Sequence, residues 1–584
     1  MKNWIKLAGN APLPLDRRGR LLRILLQLGI CFSGGAFYAA ALPPLNLFPL
    51  GCICLVPLLW FCCHANFGLA ALGGWVWGLG WAVFSFAFLR EIDPAVPFLI
   101  APVLALWSAV FAFLLCFLRD NTLAMTGSIP QKKQRFFPLL VFVSGSAAWF
   151  VLLEWTRSRL FPWNDFSVIF WKVPVLLQIA EYTGHYGINF LAALVNAGIF
   201  ALAVFRNVRV FLAVSAVFSA VAGSGIYLQQ AARQEVEKNP VVFSAGLIQG
   251  NLSQRRHSTM PQAYEALQVY TTLSRELKER DPGISLIVWP EGAVPFPFYS
   301  CYNLENTFQK SDYARFIARY QSQVRAFCRE NNVHMLIGAL DFDGAGSDAG
   351  ATNSALLLDP RGEVVSKYDK IHRVPFGEYI PFRAYFPERL VRYIDMGRDL
   401  VPGKNPNPML LPGNVRAAAE ICYEGVFSYL TRERVRRGAD VLIVLSNDAW
   451  YPRSSEPEQH LANALLRAVE TRTVMIRCGN NGGSGVVYPD GSYQLFDPVG
   501  NRSKVELLRC KDARKVTVNL PQTHRETFFV RYGEWFVLLL AAGFGIWLFF
   551  ACSRAIRRRE AFCRRMKLDP EAFGGEDPDN KNNS

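Results

Sequence analysis

The sequence predicts two kinds of fold in one chain, a multi-span α-helical membrane bundle and an α/β domain between residues 238 and 525. Hydrophobic residues make up 51% of the 584 positions and charged residues only 19%, whereas soluble domains carry about 25% charged residues. The apolar residues are concentrated in runs long enough to cross a bilayer, which takes about 20 residues. Between the last two runs lies a long segment of ordinary soluble composition, where β-branched stretches alternate with helical patterns.

Eight apolar runs define the predicted membrane spans. They cover 24–42, 45–64, 67–89, 95–118, 137–157, 184–205, 210–228 and 535–552. The segment 158–183 is apolar and aromatic but is interrupted by Pro, Asn, Asp and Lys. We expect it to form an interfacial or re-entrant piece, with a long outer loop as the alternative.

Basic residues predict the orientation of these spans. They cluster before the first span, in the loops after the fourth and sixth spans, and after the eighth: Lys2, Lys6, Arg17, Arg18, Arg20, Arg23, Arg119, Lys132, Lys133, Arg135, Arg206, Arg209, Arg557, Arg558 and Arg559. If the chain crosses eight times, all of these segments lie on one side. Because cytosolic segments carry an excess of Lys and Arg, both termini are predicted to be cytoplasmic and the α/β domain to be exported.

Six strands are predicted in the exported domain from β-branched runs that end at turn residues. They are VVFSAGLIQGN (241–251), SLIVWP (285–290), HMLIGALDF (334–342), NSALLLDP (353–360), VRAAAEI (415–421) and DVLIVLSN (440–447). Strands that alternate with helices favour a layered sheet with helices outside. The predicted organisation is therefore a basic cytosolic N-terminus (1–23), a seven-span membrane domain (24–230), an exported catalytic domain (238–525), an eighth transmembrane helix (535–552) and a basic, then disordered, cytosolic tail (553–584).

Three residues at apparent strand ends suit acyl transfer. Glu291 lies directly after one strand, in IVWPEGAVPF; Lys370 lies in SKYDKIHRVPFGEYIPF; and Cys422 lies at an apparent strand-to-helix turn, in AAAEICYEGVFSYL. In α/β folds, sites form where strands end and loops begin. A deprotonated thiol is a nucleophile, a carboxylate can take its proton, and an ammonium group can stabilise a negative acyl oxygen. The backbone N–H of Tyr423 is a candidate second donor to that oxygen.

These segments resemble the nitrilase (carbon-nitrogen hydrolase) superfamily and, with membrane spans on both sides, the apolipoprotein N-acyltransferase family. The matching segments are QGN (249–251), WPE (289–291), VPFGEYIP (374–381), ICYE (421–424), NDAWY (447–451), EQH (458–460), RAVETR (467–472) and GHYGINFL (184–191). The resemblance covers most of the chain and implies an α-β-β-α sandwich for the exported domain.

The resemblance also implies a role for each matching residue. Cys422 would be the acylated nucleophile, Glu291 the general base and Lys370 the cation that stabilises the oxyanion. Glu378, Tyr423 and Glu424 match the residues that support this triad. The implied reaction is ping-pong: the thiolate takes a fatty acyl chain from a phospholipid, often phosphatidylethanolamine. The resulting thioester then passes this chain to the α-amine of a diacylglyceryl-cysteine lipoprotein at a bacterial inner membrane.

The sequence departs from the family near the first motif. The family usually has a Trp soon after QGN, whereas this chain continues with Arg255, Arg256 and His257. The basic pair could instead contact a lipid phosphate. The stretch from Tyr299 to about Asp312 is also long, which suggests part of a lid.

Several residues have competing interpretations. Glu378 and Glu424 could each support a loop or cap a helix instead of acting at the site. We expect His372 to be structural and Cys478 to lie in the core, while Trp450 could contact substrate or simply pack. The five cysteines of the exported domain are an odd number, so at least one is free.

Other classes of function fit the sequence less well. No groove-reading motif or basic aromatic stripe accompanies the net charge of +15, which argues against nucleic-acid binding. The cysteines lack paired metal spacing, so no metal or organic cofactor is expected. The main alternative is a membrane-tethered amidase, in which water replaces the amine. A scaffold or transporter is disfavoured because the spans hold few ionisable residues and all three triad residues are present.

Overall fold

The computed structural model describes residues 17–123, 136–238, 240–253, 259–299, 312–343, 350–389, 391, 399–451, 453–496, 510–521 and 525–566. Arg255, Arg256, most of the 299–312 stretch, the predicted disordered tail beyond residue 566, and the basic residues Lys2, Lys6, Lys132, Lys133 and Arg135 lie outside the described residues.

Helices make up the membrane half of the chain. In order they are α1 (Arg17–Ala41), α2 (Phe48–Gly51), α3 (Val56–Cys62), α4 (Phe67–Ser85), α5 (Val96–Thr122), α6 (Phe136–Leu160), α7 (Pro174–Leu177), α8 (Ala180–Thr183), α9 (His185–Phe205) and α10 (Val208–Glu237). Two helices follow the α/β domain, the short α15 (Phe528–Tyr532) and the long α16 (Trp535–Met566). Within the described ranges, seven helices are long and apolar enough to cross a membrane: α1, α4, α5, α6, α9, α10 and the first part of α16.

The second predicted span differs from the expectation, because 45–64 forms the two short helices α2 and α3 and not one long helix. Pro57 stands at the start of α3 and has no backbone N–H to continue a helix from α2. Asn196 of α9 compensates for the break. Its amide donates to the Gly51 carbonyl (2.8 Å) and its side-chain oxygen accepts from the Leu55 N–H (2.9 Å). Buried backbone groups at a helix break in a bundle need such partners.

Glycines let the central helices of the bundle approach closely. A Cβ at Gly35 of α1 would lie 1.9 Å from the Trp77 carbonyl oxygen of α4, and one at Gly74 would lie 2.2 Å from the Ser108 carbonyl oxygen of α5. Any larger residue would force these helices apart. Small residues at helix interfaces are the usual route to tight packing inside a bilayer, where there is no hydrophobic drive between helices.

Two sheets form the centre of the α/β domain. The first contains β13 (Asp512–Pro521), β1 (Pro240–Gln249), β2 (Leu286–Val288), β4 (His334–Asp343), β5 (Gly350–Leu358) and β6 (Val364–Asp369) in that order, with β3 (Val294–Pro297) paired to β4. The second contains β12 (Tyr493–Leu495), β11 (Gly485–Val487), β10 (Val474–Gly479), β9 (Val441–Ser446), β8 (Val415–Ile421) and β7 (Met409–Leu411). The six strands predicted from the sequence are all present.

Alternating side chains place each sheet between two cores. Inward residues of the first sheet, such as Leu247 and Leu336, pack against Ile421 and Ile443 of the second sheet. The other face of the first sheet is covered by α11 (Met260–Arg280) and α12 (Asp312–Asn331). The second sheet is covered by α13 (Ser428–Arg436) and α14 (Glu456–Thr471). The predicted α-β-β-α sandwich is confirmed.

The layer of α13 and α14 also joins the α/β domain to the membrane half. Residues of α14 share one continuous core with the membrane helices. Polar contacts add to it, because the Asn164 amide donates to Gln459 Oε1 (2.9 Å) and the Asn463 amide donates to Asn164 Oδ1 (3.1 Å). Asn164 belongs to the segment 158–183, which contains a 3₁₀ turn, α7 and α8 and is buried over much of its length. The segment 158–183 therefore contacts α14, the helix that covers the outer face of the second sheet.

Candidate active site

The three residues predicted to react are brought together at the ends of strands from both sheets. Glu291 lies three residues beyond β2, Lys370 directly follows β6, and Cys422 directly follows β8. Lys370 Nζ is 3.3 Å from Glu291 Oε1, and the Cys422 thiol lies close enough to Glu291 to affect the pKa of that carboxyl. Residues separated by up to 131 positions in the chain thus form one cluster, in which Lys370 is buried and Glu291 and Cys422 are partly buried.

Lys370 provides the positive charge of the cluster. It is 1% exposed, and its ammonium contacts Glu378 Oε1 at 3.0 Å as well as Glu291. Burial alone would lower the pKa of Lys370, but the charges of Glu291 and Glu378 outweigh it and raise that pKa. The amine therefore stays protonated, as an oxyanion-stabilising group must be.

Glu291 and Cys422 are both biased toward their protonated forms. Burial raises the pKa of Glu291, Lys370 opposes this effect, and Glu378 adds to it. Burial also raises the pKa of the Cys422 thiol well above its usual range, and the charge of Glu291 raises it further against the opposing effect of Lys370. Cys422 is thus a thiol at rest and would have to lose its proton to act as the predicted nucleophile. A carboxylate beside that thiol is suited to accept this proton.

Asn353 of β5 joins the two carboxylates and was not singled out from the sequence. Its amide nitrogen donates to Glu291 Oε1 (2.8 Å) and to Glu378 Oε1 (2.9 Å). The other oxygen of Glu378 accepts from the Val374 N–H at 2.7 Å. Glu378 therefore lies within the cluster, in direct contact with Lys370. The signal for Asn353 in the sequence is a polar residue at the start of an otherwise apolar strand run.

Glu424 lies in a separate buried network beside the cluster. Its carboxylate accepts from the Tyr368 hydroxyl (2.7 Å) and from the backbone N–H groups of Ile371 (2.8 Å), His372 (3.0 Å) and Ile421 (2.9 Å). Arg434 lies 3.5 Å from the same carboxylate and also contacts the Tyr368 hydroxyl. These bonds tie the loop after Lys370 to the loop that holds Cys422, so Glu424 fixes the relative position of two reacting groups.

Tyr423 connects the cysteine loop to the membrane half. Its ring stacks on Trp163 (6.1 Å between centroids, 28° between planes) and meets Phe427 edge to face at 4.9 Å. Its hydroxyl has no hydrogen-bond partner within the ranges described. The side chain therefore acts through packing, and Trp163, which it stacks on, lies three residues beyond the end of α6.

Three residues with open interpretations take these positions. Cys478 is fully buried in β10 and its thiol lies 3.2 Å from the Val288 carbonyl oxygen, so it is a core residue as expected. Burial raises the pKa of this thiol to about 12. His372 packs its ring on Phe427 at 3.7 Å between centroids. Trp450 ends the 3₁₀ turn Asp448–Trp450 and is partly exposed.

His460 and Asp448 also lie at the site and were missed as functional candidates. His460 Nε2 is 3.1 Å from the Cys422 carbonyl oxygen, and His460 Nδ1 is 2.9 Å from Asp448 Oδ1. Both side chains are almost completely buried. They occur in the EQH and NDAWY segments. The sequence does not show that these two segments contact each other and that His460 contacts the Cys422 backbone; the fold does.

The fold and this cluster define an enzyme of the carbon-nitrogen hydrolase class joined to a helical membrane bundle. The Carbon-nitrogen hydrolase family model matches residues 245–504, and the Apolipoprotein N-acyltransferase N-terminal domain model matches residues 34–198. A crystal structure of an amidase from Nesterenkonia sp. is 20% identical and covers 48% of this chain and 91% of that chain, with a TM-score of 0.30.

Curated relatives match nearly the whole chain. The apolipoprotein N-acyltransferase of Geobacter metallireducens is 30% identical over 569 residues, which cover 93% of this chain and 96% of the relative. The apolipoprotein N-acyltransferase of Allorhizobium ampelinum is 28% identical over 81% of this chain and 88% of the relative. The chain belongs to the apolipoprotein N-acyltransferase family. It is a membrane protein and an acyltransferase, as the sequence motifs predicted.

Proposed function

We propose that this enzyme transfers a fatty acyl chain from a phospholipid to the α-amino group of the N-terminal diacylglyceryl-cysteine of apolipoproteins, through a thioester on Cys422. One observation carries the proposal. The loop that sets the Cys422 thiol against Glu291 also stacks Tyr423 on Trp163 of the membrane half. A nucleophile held at this junction suits an acyl donor and a lipidated acceptor that both remain anchored in the bilayer.

In the first half-reaction, the Cys422 sulfur attacks the ester carbonyl carbon while its proton moves to Glu291. The negative charge on the former carbonyl oxygen is stabilised by Lys370 and by the Tyr423 N–H. The tetrahedral intermediate collapses with cleavage of the ester C–O bond. Glu291 returns the proton to the departing oxygen, and the lysophospholipid leaves. Glu378 and Glu424 support this step by holding Lys370 and the two loops in place.

In the second half-reaction, the α-amine of the acceptor attacks the thioester carbonyl. Glu291 takes a proton from the amine, the C–S bond breaks, and the sulfur regains a proton to restore the thiol. The product is an amide, and no cofactor is needed for the balance. Donor and acceptor use the same cluster in turn, which is the requirement for a ping-pong reaction.

We place the enzyme in a bacterial inner membrane, with both termini cytoplasmic and the α/β domain on the periplasmic side. The positions of the basic segments support this orientation, with α2 and α3 together taken as the second of eight crossings. Phosphatidylethanolamine is the proposed acyl donor.

The test uses the detergent-purified protein with phosphatidylethanolamine and a synthetic diacylated lipopeptide. Mass spectrometry should find one added acyl chain on the peptide amine and an equal amount of lysophospholipid. Cys422→Ala should show neither product, whereas Cys328→Ala should behave like the wild type. Cys328 is a matched control because it is a buried cysteine in α12, on the far side of the first sheet.

A peptide of unchanged mass, with no thioester on Cys422 and no lysophospholipid, would refute lipid transfer. Release of free fatty acid or ammonia in place of peptide acylation would instead support the membrane-tethered amidase.

A further inference from the structure

Cys422 has a backbone conformation that its residue type rarely adopts. Its φ angle is +51°, in the left-handed region that disfavours residues with a Cβ. Such a conformation persists only where surrounding contacts enforce it, and it is found at reacting residues held on a sharp turn between a strand and a helix.

His460 supplies a contact to this turn from α14. Its Nε2 lies 3.1 Å from the carbonyl oxygen of Cys422. The peptide group that joins Cys422 to Tyr423 is planar, with its C=O and N–H pointing in opposite directions. A hydrogen bond that fixes this carbonyl toward α14 also directs the Tyr423 N–H to the other side of the turn.

The His460 ring is itself held from its other side. Its Nδ1 is 2.9 Å from Asp448 Oδ1, and Arg477 Nη2 lies 3.7 Å from Asp448 Oδ2. His460, Asp448 and Arg477 are each 1% exposed or less. Nε2 faces the Cys422 carbonyl oxygen, to which only an N–H can donate, while Nδ1 lies beside both Asp448 Oδ1 and Arg477 Nη2, the latter at 3.5 Å.

We propose that His460 is a positioning residue for acyl transfer. Its Nε2–H holds the Cys422 carbonyl, maintains the left-handed turn, and so aims the thiol at Glu291 and the Tyr423 N–H at the acyl oxygen. Asp448 acts indirectly, because its carboxylate fixes the orientation of the His460 ring. The proposal rests on the proposed function, because it assumes that Cys422 is the residue acylated.

A metal ion is a weaker interpretation of the same residues. Cys422, Asp448 and His460 offer a thiol, a carboxylate and an imidazole within 4.8 Å of one another. However, both ring nitrogens of His460 already face protein oxygens, and the Arg477 guanidinium lies beside Asp448. A cation there would compete with both contacts.

The test compares two amides that each replace one side of the ring. The amide of His460→Gln can reach the position of Nε2 and donate to the Cys422 carbonyl, whereas the shorter His460→Asn reaches only the position of Nδ1, beside Asp448. In single-turnover assays, we expect His460→Asn to slow thioester formation about 10- to 100-fold, the range for one lost buried hydrogen bond. His460→Gln should recover most of the rate, and the KM for the phospholipid should be the same in both.

A second readout needs no lipid. The rate of Cys422 alkylation by iodoacetamide should fall in His460→Asn and recover in His460→Gln. Equal rates in the two variants, or a rate loss that follows only the folded fraction, would overturn the positioning role. If either variant fails to fold, Asp448→Asn replaces it and should give a smaller loss in the same direction, whereas unchanged rates there would also count against the proposal. A wild type that is alkylated normally but forms no thioester would refute the proposed function while leaving the alkylation comparison valid.

Discussion

Two glutamates of the α/β domain have pKa values that shift in opposite directions, although burial acts in the same sense on both. Glu291 lies in the candidate site, with Lys370 at 3.3 Å and a second carboxylate, Glu378, bound to the same lysine. Glu470 lies at the junction with the membrane half, with Arg467 at 3.1 Å and the His185 ring at 2.7 Å. Glu291 and Glu378 thus share one cation, whereas Glu470 has two basic partners, one of which, His185, it shares with Asp165 at 3.2 Å.

The pKa directions follow from this difference. Burial raises the pKa of Glu291, and the single lysine shared with Glu378 does not offset it. Burial acts in the same sense on Glu470, but Arg467 and His185 outweigh it and lower the pKa of that carboxyl. These directions favour proton exchange at Glu291 and a permanently ionised carboxylate at Glu470. Perturbed carboxylates of the first kind are typical of functional sites.

The largest expected effect is on the chemistry of Glu291. Glu291→Gln removes the proposed proton acceptor of Cys422, so thioester formation should fall by about 10²- to 10⁴-fold, the usual contribution of a general base. The variant should unfold at about the same temperature as the wild type, because glutamine can still accept from Asn353 and Lys370 keeps Glu378 as its charged partner. Single-turnover acylation and thermal unfolding in detergent measure the two quantities. A variant with wild-type acylation would show that another group takes the proton.

The second effect is on stability and concerns Glu470. Glu470→Gln leaves the Arg467 guanidinium without its carboxylate and leaves His185 with Asp165 as its one remaining carboxylate partner, at 3.2 Å. It also weakens the 2.7 Å bond from the Ser428 hydroxyl. Removing one partner of a buried ion pair costs about 3–5 kcal/mol. We expect a loss of this order in chemical unfolding, with the acylation rate per folded molecule close to that of the wild type. Normal stability together with slow acylation would reverse the roles assigned to the two glutamates.

The stability loss in Glu470→Gln also has a predicted pH dependence. The folded-state pKa of Glu470 is lowered from 4.5, so its stabilising contribution is complete above that pH and is lost as the pH falls through the lowered value. The difference between wild type and Glu470→Gln should therefore be largest near neutrality and shrink in acid. A difference that grows as the pH falls would contradict the assignment.

The sequence alone predicted one side of this comparison better than the other. Glu291 and Cys422 each follow a strand that the sequence predicts, and these two residues and Lys370 occur in motifs of known order, so they could be grouped before the fold was seen. Glu470 lies in the matching segment RAVETR, but its contact with His185 joins positions 285 residues apart. No local pattern indicates such a pairing. The same limit applies to His460 and Asn353, whose roles depend on what lies opposite them.

The membrane half shows why a hydrophobic run is an incomplete guide. The run 45–64 has the composition of a span, and composition does not reveal that Pro57 begins a new helix. The break is tolerated because Asn196 bonds to both sides of it. Hydropathy reports whether a segment can lie in lipid, whereas the backbone path depends on hydrogen-bond partners from other helices.

The smallest effect, and the most direct test of the charge count, comes from Glu378→Gln. The negative charge of Glu378 raises the pKa of Glu291, so its removal gives Glu291 sole use of Lys370 and lowers that pKa. Because Glu291 must be ionised to act as the base, the acylation rate rises with pH through its pKa. The acid limb of the rate profile should therefore move to lower pH in Glu378→Gln.

The plateau rate of Glu378→Gln should also fall, by about tenfold, because Lys370 loses one of its charged contacts. A limb that stays in place or moves to higher pH would show that Glu378 does not set the charge state of Glu291, and the two-carboxylate account of the site would fail.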